Sequence, residues 1–248
     1  MHTNDVSPAP ATLLEVKALN AGYRDLLAVR DVSLSVHPGE VTVLLGRNGA
    51  GKSTVLLTIA GLAKRTSGQI LLDGVDITSR SPYARNGSGI ALVPENKRVF
   101  RRRTVEENLA IGGYVLTRGE RRAAIQNAYE RFPALHAKRH DAAGGLSGGQ
   151  QQMLSIAQAL MPGPRVIMLD EPTAGLAPAI VNNVLEILVS IQAEGIGVLL
   201  VEQLVDQALS VADHVVLLDH GRVQYNASSD GLHDFDQLRN VYLGKQSG

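Results

Sequence analysis

Short, largely apolar runs alternate with longer segments of helical spacing along most of this chain. Residues 41–45, 70–72, 90–93, 166–169, 198–201 and 215–218 are continuous enough to suit strands buried on both faces. Between them, residues 52–60 and 178–192 carry helical periodicity. In the second segment Val181, Val184, Leu185, Leu188 and Ile191 fall on one face. Strands alternating with helices predict an α/β fold, with a mainly parallel sheet covered on both sides. The first 40 residues differ. Residues 13–18 and 26–36 alternate without an intervening helix, which suits an antiparallel flap. Residues 96–164 also break the pattern. They read as successive helices over 105–114 and 119–132, with a third starting near Ser147, punctuated by Pro133 and Gly144-Gly145. The expectation is one domain over 13–248, with a helical insertion at about 96–164 and a loose, disordered tail over 1–12.

Composition narrows the classes. Of 248 residues 44% are hydrophobic, which is ordinary for a globular chain with a core of its own. The absence of cysteine removes disulfide frameworks, thiolate metal sites and cysteine nucleophiles. Lys+Arg and Asp+Glu are both 24, and a chain with no basic excess is a poor general nucleic-acid binder, so no nucleic-acid partner is expected. The longest apolar runs, such as 196–201, fall far short of the roughly 20 residues of a membrane span. Residues 1–12 have neither a basic n-region nor an apolar h-region. The expected location is therefore cytoplasmic, on the surface of a membrane partner if it has one.

Gly46-Arg47-Asn48-Gly49-Ala50-Gly51-Lys52-Ser53-Thr54 follows a predicted strand and opens a predicted helix. It fits the phosphate-binding loop Gly-x4-Gly-Lys-Ser in the context that motif requires. Glycines let the backbone curl so that successive N–H groups point at phosphate oxygens, and the helix start adds its positive end. Lys52 would reach the β- and γ-phosphates, and the Ser53 hydroxyl would ligate Mg²⁺. A glycine-rich turn before an ordinary helix is the plain alternative, disfavoured by the strand and helix on the correct sides. Further on, Val166-Ile167-Met168-Leu169-Asp170-Glu171 is an apolar strand ending in two carboxylates, where α/β sheets bind ligands. Asp170 would hold Mg²⁺ and Glu171 would orient and polarise the attacking water. Alone this feature is common; beside a phosphate loop it carries weight.

Leu146-Ser147-Gly148-Gly149-Gln150 lies before a predicted helix, about 20 residues ahead of the acidic strand end. A Ser N-cap followed by flexible glycines is the bland reading. With the two motifs above, it resembles the signature of the ATP-binding-cassette (ABC) ATPases, and the resemblance runs from about Leu13 to Gly244. It implies the phosphate-loop NTPase fold, ATP and Mg²⁺ as ligands, and a dimer in which Ser147, Gly148 and Gly149 hold the nucleotide of the facing subunit. It also implies that Tyr23 stacks on adenine and that Glu95 takes the place of a loop glutamine linking Mg²⁺ to the helical insertion. Ala174-Gly175-Leu176-Ala177 falls on the loop that touches the partner, and Gln203 takes the switch-histidine position. Glu95, Ala177 and Gln203 depart from the family's Gln, Asp and His. Glu95 cannot donate a hydrogen bond when ionised, and Gln203 carries no titratable proton. These departures put fast hydrolysis by this subunit alone in doubt.

The departures also point to a branch. Val93-Pro94-Glu95, Arg98-Val99-Phe100, Thr104-Val105-Glu106-Glu107-Asn108-Leu109, Gly175-Leu176-Ala177-Pro178, Val201-Glu202-Gln203 and Tyr242-Leu243-Gly244 are similar to the smaller ATPase subunit of branched-chain (hydrophobic) amino-acid importers. The resemblance implies as partners a second ATPase subunit, two transmembrane permease subunits and, indirectly, a solute-binding protein, at the cytoplasmic face of the membrane. Arg98, Arg101, Arg102 and Arg103 surround Phe100 just after Glu95, which reads either as a solvated basic stretch or as a groove for a cytoplasmic helix of the permease. Other readings stay open. The chain could serve a sister importer for urea or short amides, could be a mainly regulatory nucleotide-binding half, or could be a soluble ABC protein of repair, translation or cluster assembly. The last usually carries two cassettes, a coiled-coil insertion or a basic surface.

Overall fold

The computed structural model describes residues 12–23, 26–96 and 99–228, the side chain of Tyr23 excepted. Residues 1–11 of the expected 1–12 tail, Arg98 and the segment Tyr242-Leu243-Gly244 lie outside the described residues. In chain order the strands are β1 (Leu14–Tyr23), β2 (Leu26–Val36), β3 (Val41–Leu45), β4 (Arg65–Leu72), β5 (Val75–Asp76), β6 (Ile90–Val93), β7 (Val166–Asp170), β8 (Gly197–Glu202), β9 (His214–Asp219) and β10 (Arg222–Ser228). The helices are α1 (Lys52–Ile59), α2 (Pro82–Gly87), α3 (Val105–Gly112), α4 (Arg118–Arg131), α5 (Pro133–His136), α6 (Gly148–Leu160), α7 (Pro178–Ala193) and α8 (Val205–Leu209).

Two sheets organise the molecule. The larger has the order β10-β9-β3-β8-β7-β6; it is parallel except for β10, which returns antiparallel on β9. The smaller is antiparallel, ordered β2-β1-β4-β5, and is the expected flap. Side chains alternate across the larger sheet with the strand period of two. Val41, Val43 and Leu45 of β3 and Val198 and Leu200 of β8 enter a core shared with α3, α4, α6 and α7. Leu44, Leu199 and Val201 enter a second core, shared with α1 and the antiparallel sheet. The larger sheet is thus buried on both faces, which is why its strands read as continuous apolar runs.

Residues 70–72 belong elsewhere than the sequence suggested. They end β4, which pairs antiparallel with β1 (Leu14 opposite Leu72) and not with the parallel strands. Only Ile70 and Leu72 of that run are fully buried. The run Ile-Leu-Leu imitates a two-sided strand, whereas the chain uses one face of it.

Parallel register positions the site. Leu45, the last residue of β3, lies opposite Glu202, the last of β8. Val201 in turn lies opposite Asp170, the last of β7. Three strands therefore end in one row, and the loops that follow them share one edge of the sheet, where open α/β sheets bind ligands.

Candidate functional site

The phosphate loop begins where β3 ends and runs into α1. Among the described residues four helices have a hydroxyl N-cap that satisfies an orphan backbone N–H: Ser81 on α2, Thr104 on α3, Thr117 on α4 and Ser147 on α6. On α1 the N-cap is Gly51, with φ 104°, no capping side chain and no acid in the first turn. A Cβ there would lie 2.5 Å from Val29 Cγ1 and in a backbone region that side chains rarely adopt. The N-terminal N–H groups of α1 are left for an external anion.

Lys52 opens α1 with 5% of its side chain exposed. Its ammonium donates to the carbonyls of Gly46 (2.7 Å) and Arg47 (3.4 Å) and lies 3.5 Å from Glu171 Oε1. The loop thus bends around its own lysine, and the cation is held at the mouth of the anion site. Ser53 donates its hydroxyl to Asp170 Oδ1 at 3.1 Å, across 117 residues of sequence. Burial pushes the Asp170 carboxyl up, the Ser53 hydrogen bond opposes that, and Glu171 and Glu95 raise it further by repulsion. Two hard oxygen donors with a nearby exposed Glu95 suit Mg²⁺, which is held by one or two carboxylates and completed by phosphate and water. Among the described residues no group of three or more His, Asp and Glu side chains could cage a metal unaided. The donor set fits an ion that arrives with a nucleotide.

Glu171 follows β7 with φ 48°, in the left-handed region. Its backbone is fixed by its own N–H to Val201 O at 2.9 Å. Gln203 Nε2 donates to Glu171 Oε2. Behind the pair lies Glu202, 2% exposed. It accepts from Thr173 N (3.1 Å), Thr173 Oγ1 (2.6 Å) and Gln203 N (3.3 Å). Burial pushes the Glu202 carboxyl up, against those hydrogen bonds.

These groups converge on a cleft of about 360 Å³ lined by Ala28, Asn48, Gly49, Ala50, Gly51, Lys52, Ser53, Thr54, Glu95, Glu171 and Gln203. Gly46 and Arg47 contribute carbonyls to Lys52, and Asp170 joins through Ser53. Tyr23 ends β1, the strand next to β2, and its side chain lies outside the described residues. Larger hollows lie elsewhere, including one of about 690 Å³ beside α4. That one gathers Glu106, Arg118, Arg121 and Arg122 but lies at a helix start that Thr117 caps, so size does not locate the site.

Leu146, Ser147, Gly148, Gly149 and Gln150 do not line this cleft. Leu146 is buried in the core, and Ser147 N-caps α6 in a capping box with Gln150. A Cβ on Gly149 would lie 2.5 Å from Ile180 Cγ2, so this glycine lets α6 pack on α7. The five residues form a second, separate helix start. Sequence reading missed Ala28, whose type carries no chemical signal, and the Thr173–Glu202 contact, which needs the register of β7 and β8.

The chain matches the family described as ABC transporter over residues 29–174. It is 40% identical over 232 residues to the high-affinity branched-chain amino acid transport ATP-binding protein BraG of Pseudomonas aeruginosa, covering 94% of this chain and 100% of that protein. It is also 40% identical over 233 residues to the probable branched-chain amino acid transport ATP-binding protein LivF of Archaeoglobus fulgidus, covering 94% and 99%. Among solved structures, a nucleotide-free ATP-binding cassette from an ABC transporter superposes with a TM-score of 0.82 at 27% identity, covering 94% of this chain and 96% of that one.

Proposed function

This chain belongs to the ABC transporter family, and from that premise we propose that it is the ATP-binding, ATP-hydrolysing subunit that energises an importer of branched-chain or hydrophobic amino acids. The observation that carries the reading is the convergence of an uncapped helix start, Lys52, the Ser53–Asp170 pair and Glu171–Gln203 on one cleft. The solute class is that of the two branched-chain amino acid transport relatives at 40% identity.

In this reading the N–H groups of residues 48–54 and the Lys52 ammonium bind the triphosphate. Their fixed positive potential stabilises charge that builds on the transferred phosphoryl oxygens. Ser53, Asp170 and Glu95 would hold Mg²⁺, which supplies further charge neutralisation when bound. Glu171 accepts a proton from the attacking water and orients it, and Gln203 steadies the carboxylate. Tyr23 would stack on adenine. Leu146 to Gln150 would serve the nucleotide of a second ATPase subunit, which accords with their absence from this chain's own cleft. Two membrane permease subunits, with a solute-binding protein beyond them, complete the assembly. Among the described residues no helix is long and apolar enough to cross a membrane. In this reading the subunit docks on the permease subunits at the cytoplasmic face, as a peripheral protein.

A second reading is a mainly regulatory half of the ATPase pair. It is favoured by Ala177, which caps α7 with no side-chain hydrogen bond, and by Gln203, which cannot relay a proton. Transport by the intact complex separates the two. Glu171→Gln in this chain stops transport if this site turns over. If only the corresponding change in the partner ATPase stops it, this chain is the regulatory half. Gentle purification from native membranes tests the importer itself. Two polytopic subunits and a second ATPase support it, and the accompanying binding protein can be screened against branched-chain amino acids, urea and short amides. Recovery with cytosolic partners alone would overturn it.

A further inference from the structure

Resting on the reading of Glu171 as the residue that activates water, we propose that Glu202 is a positioning residue: its buried carboxylate ties Thr173 to Gln203 and thereby holds Glu171 and Gln203 in their working arrangement. The links close a ring. Glu171 runs through Pro172 to Thr173; Thr173 donates twice to Glu202 Oε1; Glu202 leads to Gln203; and Gln203 Nε2 donates back to Glu171 Oε2. The ring joins the loop after β7 to the end of β8 at the point where both enter the cleft.

The chemistry of the contacts specifies a carboxylate. Glu202 meets three donors, Thr173 N, Thr173 Oγ1 and Gln203 N. An ionised carboxylate offers only acceptors and suits all three, whereas a glutamine would turn an N–H₂ toward one of them. Glu171 gives the arrangement a purpose. Its φ of 48° is a sparsely populated conformation, which persists only where the surroundings over-determine it. Two backbone N–H groups hold this stretch, Glu171 N donating to the carbonyl of Val201 (2.9 Å) and Thr173 N to the side-chain Oε1 of Glu202 (3.1 Å), and both acceptors belong to the end of β8. Removing the second loosens the chain just beyond Glu171, while Lys52 keeps its hydrogen bonds to Gly46 O and Arg47 O in the phosphate loop. The consequence falls on the orientation of the water-activating carboxylate and not on nucleotide binding.

The test uses the assembled transporter with this chain as wild type, Glu202→Gln, Thr173→Val, Thr173→Ser and the Glu202→Gln/Thr173→Val double variant. ATP turnover and nucleotide affinity are read separately. Thr173→Val is nearly isosteric and guards against a Glu202 variant that fails to fold. Misplacing a reacting group by a fraction of an ångström lowers the rate far more than the affinity, so Glu202→Gln and Thr173→Val should each lose about tenfold in kcat with nucleotide affinity within about twofold. Thr173→Ser, which restores the hydroxyl, should recover turnover, and the double variant should fall no further than the worse single one. Independent, multiplying losses, a parallel fall in affinity, or wild-type turnover in both single variants would overturn the role of Glu202. Glu171→Gln serves as the control. If it leaves turnover intact, the functional reading falls and this inference with it. If it abolishes turnover while the Glu202 and Thr173 variants stay active, the inference alone falls.

Discussion

Glu171 and Glu202 are both glutamates at the edge of one sheet, yet their surroundings give them opposite tasks. Glu171 lines the cleft, 3.5 Å from Lys52, and Glu202 is sealed behind it. Glu171→Gln keeps an oxygen that can accept from Gln203 but removes the carboxylate proposed above as the base. We expect nucleotide binding to persist and single-turnover hydrolysis to fall by on the order of 10² or more, the usual worth of a positioned general base. Rapid hydrolysis by that variant would remove Glu171 from the chemistry. Glu202 is checked through stability. Burial raises its folded pKa above the ordinary 4.5. Through the window above 4.5 the folded state therefore binds more protons than the unfolded one, and this group's contribution to stability declines as pH rises. Glu202→Gln deletes that contribution, so unfolding free energy plotted against pH should slope more positively than wild type from pH 4.5 upward. The difference is bounded by one proton, about 1.4 kcal/mol per pH unit. Identical slopes would mean that Glu202 titrates as it does in the unfolded chain. None of this coupling is legible in the sequence, because Thr173 and Glu202 are 29 residues apart and meet only through strand register.

The elements were legible to the degree that their signal was local. The helix starts at Thr104, Thr117 and Ser147 each carry the Ser/Thr-x-x-Glu/Gln pattern, and each forms both halves of the capping box. Strands β3, β7 and β8 were visible because burial on both faces demands continuous apolar residues. Five described elements went unread: β5, β10, α2, α5 and α8. The edge strand β10 alternates at every position, with Val223, Tyr225 and Ala227 as its half-buried apolar side, so a period-two signal was present and passed over. Helix α2 is too short to show a period, although Ser81-Pro82 is a helix-start signal. Yet α2 carries a buried cation that matters to the whole nucleotide half. The Arg85 guanidinium donates to Thr58 O and Ile59 O in the last turn of α1 (2.7 Å each), to Thr78 O (2.6 Å) and to Arg80 O (3.0 Å). It closes the C-terminal end of the helix whose N-terminal end faces the phosphate site. Arg85→Met should therefore cost ~2–4 kcal/mol in urea unfolding, since several buried carbonyls lose their partner at once. Arg85→Lys should rescue little of it, because an ammonium cannot reproduce the planar fork. Wild-type stability in either variant would show that water replaces the guanidinium.

At the scale of the molecule, a nucleotide site is useful to a transporter only if another surface passes its state to the membrane subunits. The sequence singled out Phe100 among arginines, and the fold explains how a loop can present that ring. Phe100 is 51% exposed, with Arg101, Arg102 and Arg103 exposed beside it. Its backbone is nonetheless pinned. Phe100 N donates to the fully buried Asn108 at 2.7 Å, and Asn108 Nδ2 returns a bond to Phe100 O at 3.1 Å. Gln158, on the helix that Ser147 caps, donates to Asn108 O (3.0 Å) and Asn108 Oδ1 (3.2 Å). An aromatic ring kept in water by a buried polar clamp has the character of a binding anchor, not of a core residue that missed its place. Because the clamp grips backbone, Phe100→Asp should leave the fold, its melting temperature and nucleotide binding unchanged. It should nevertheless prevent recovery of the permease subunits when the tagged chain is purified from membranes. Asn108→Ala should differ: Phe100 O keeps Arg103 N (2.9 Å), but the Phe100 N–H loses its acceptor and the clamp opens, so both melting temperature and complex recovery should fall. The contrast between the two variants separates anchor from scaffold. Recovery of intact complex with Phe100→Asp would move the docking surface away from this loop, whatever Asn108→Ala does.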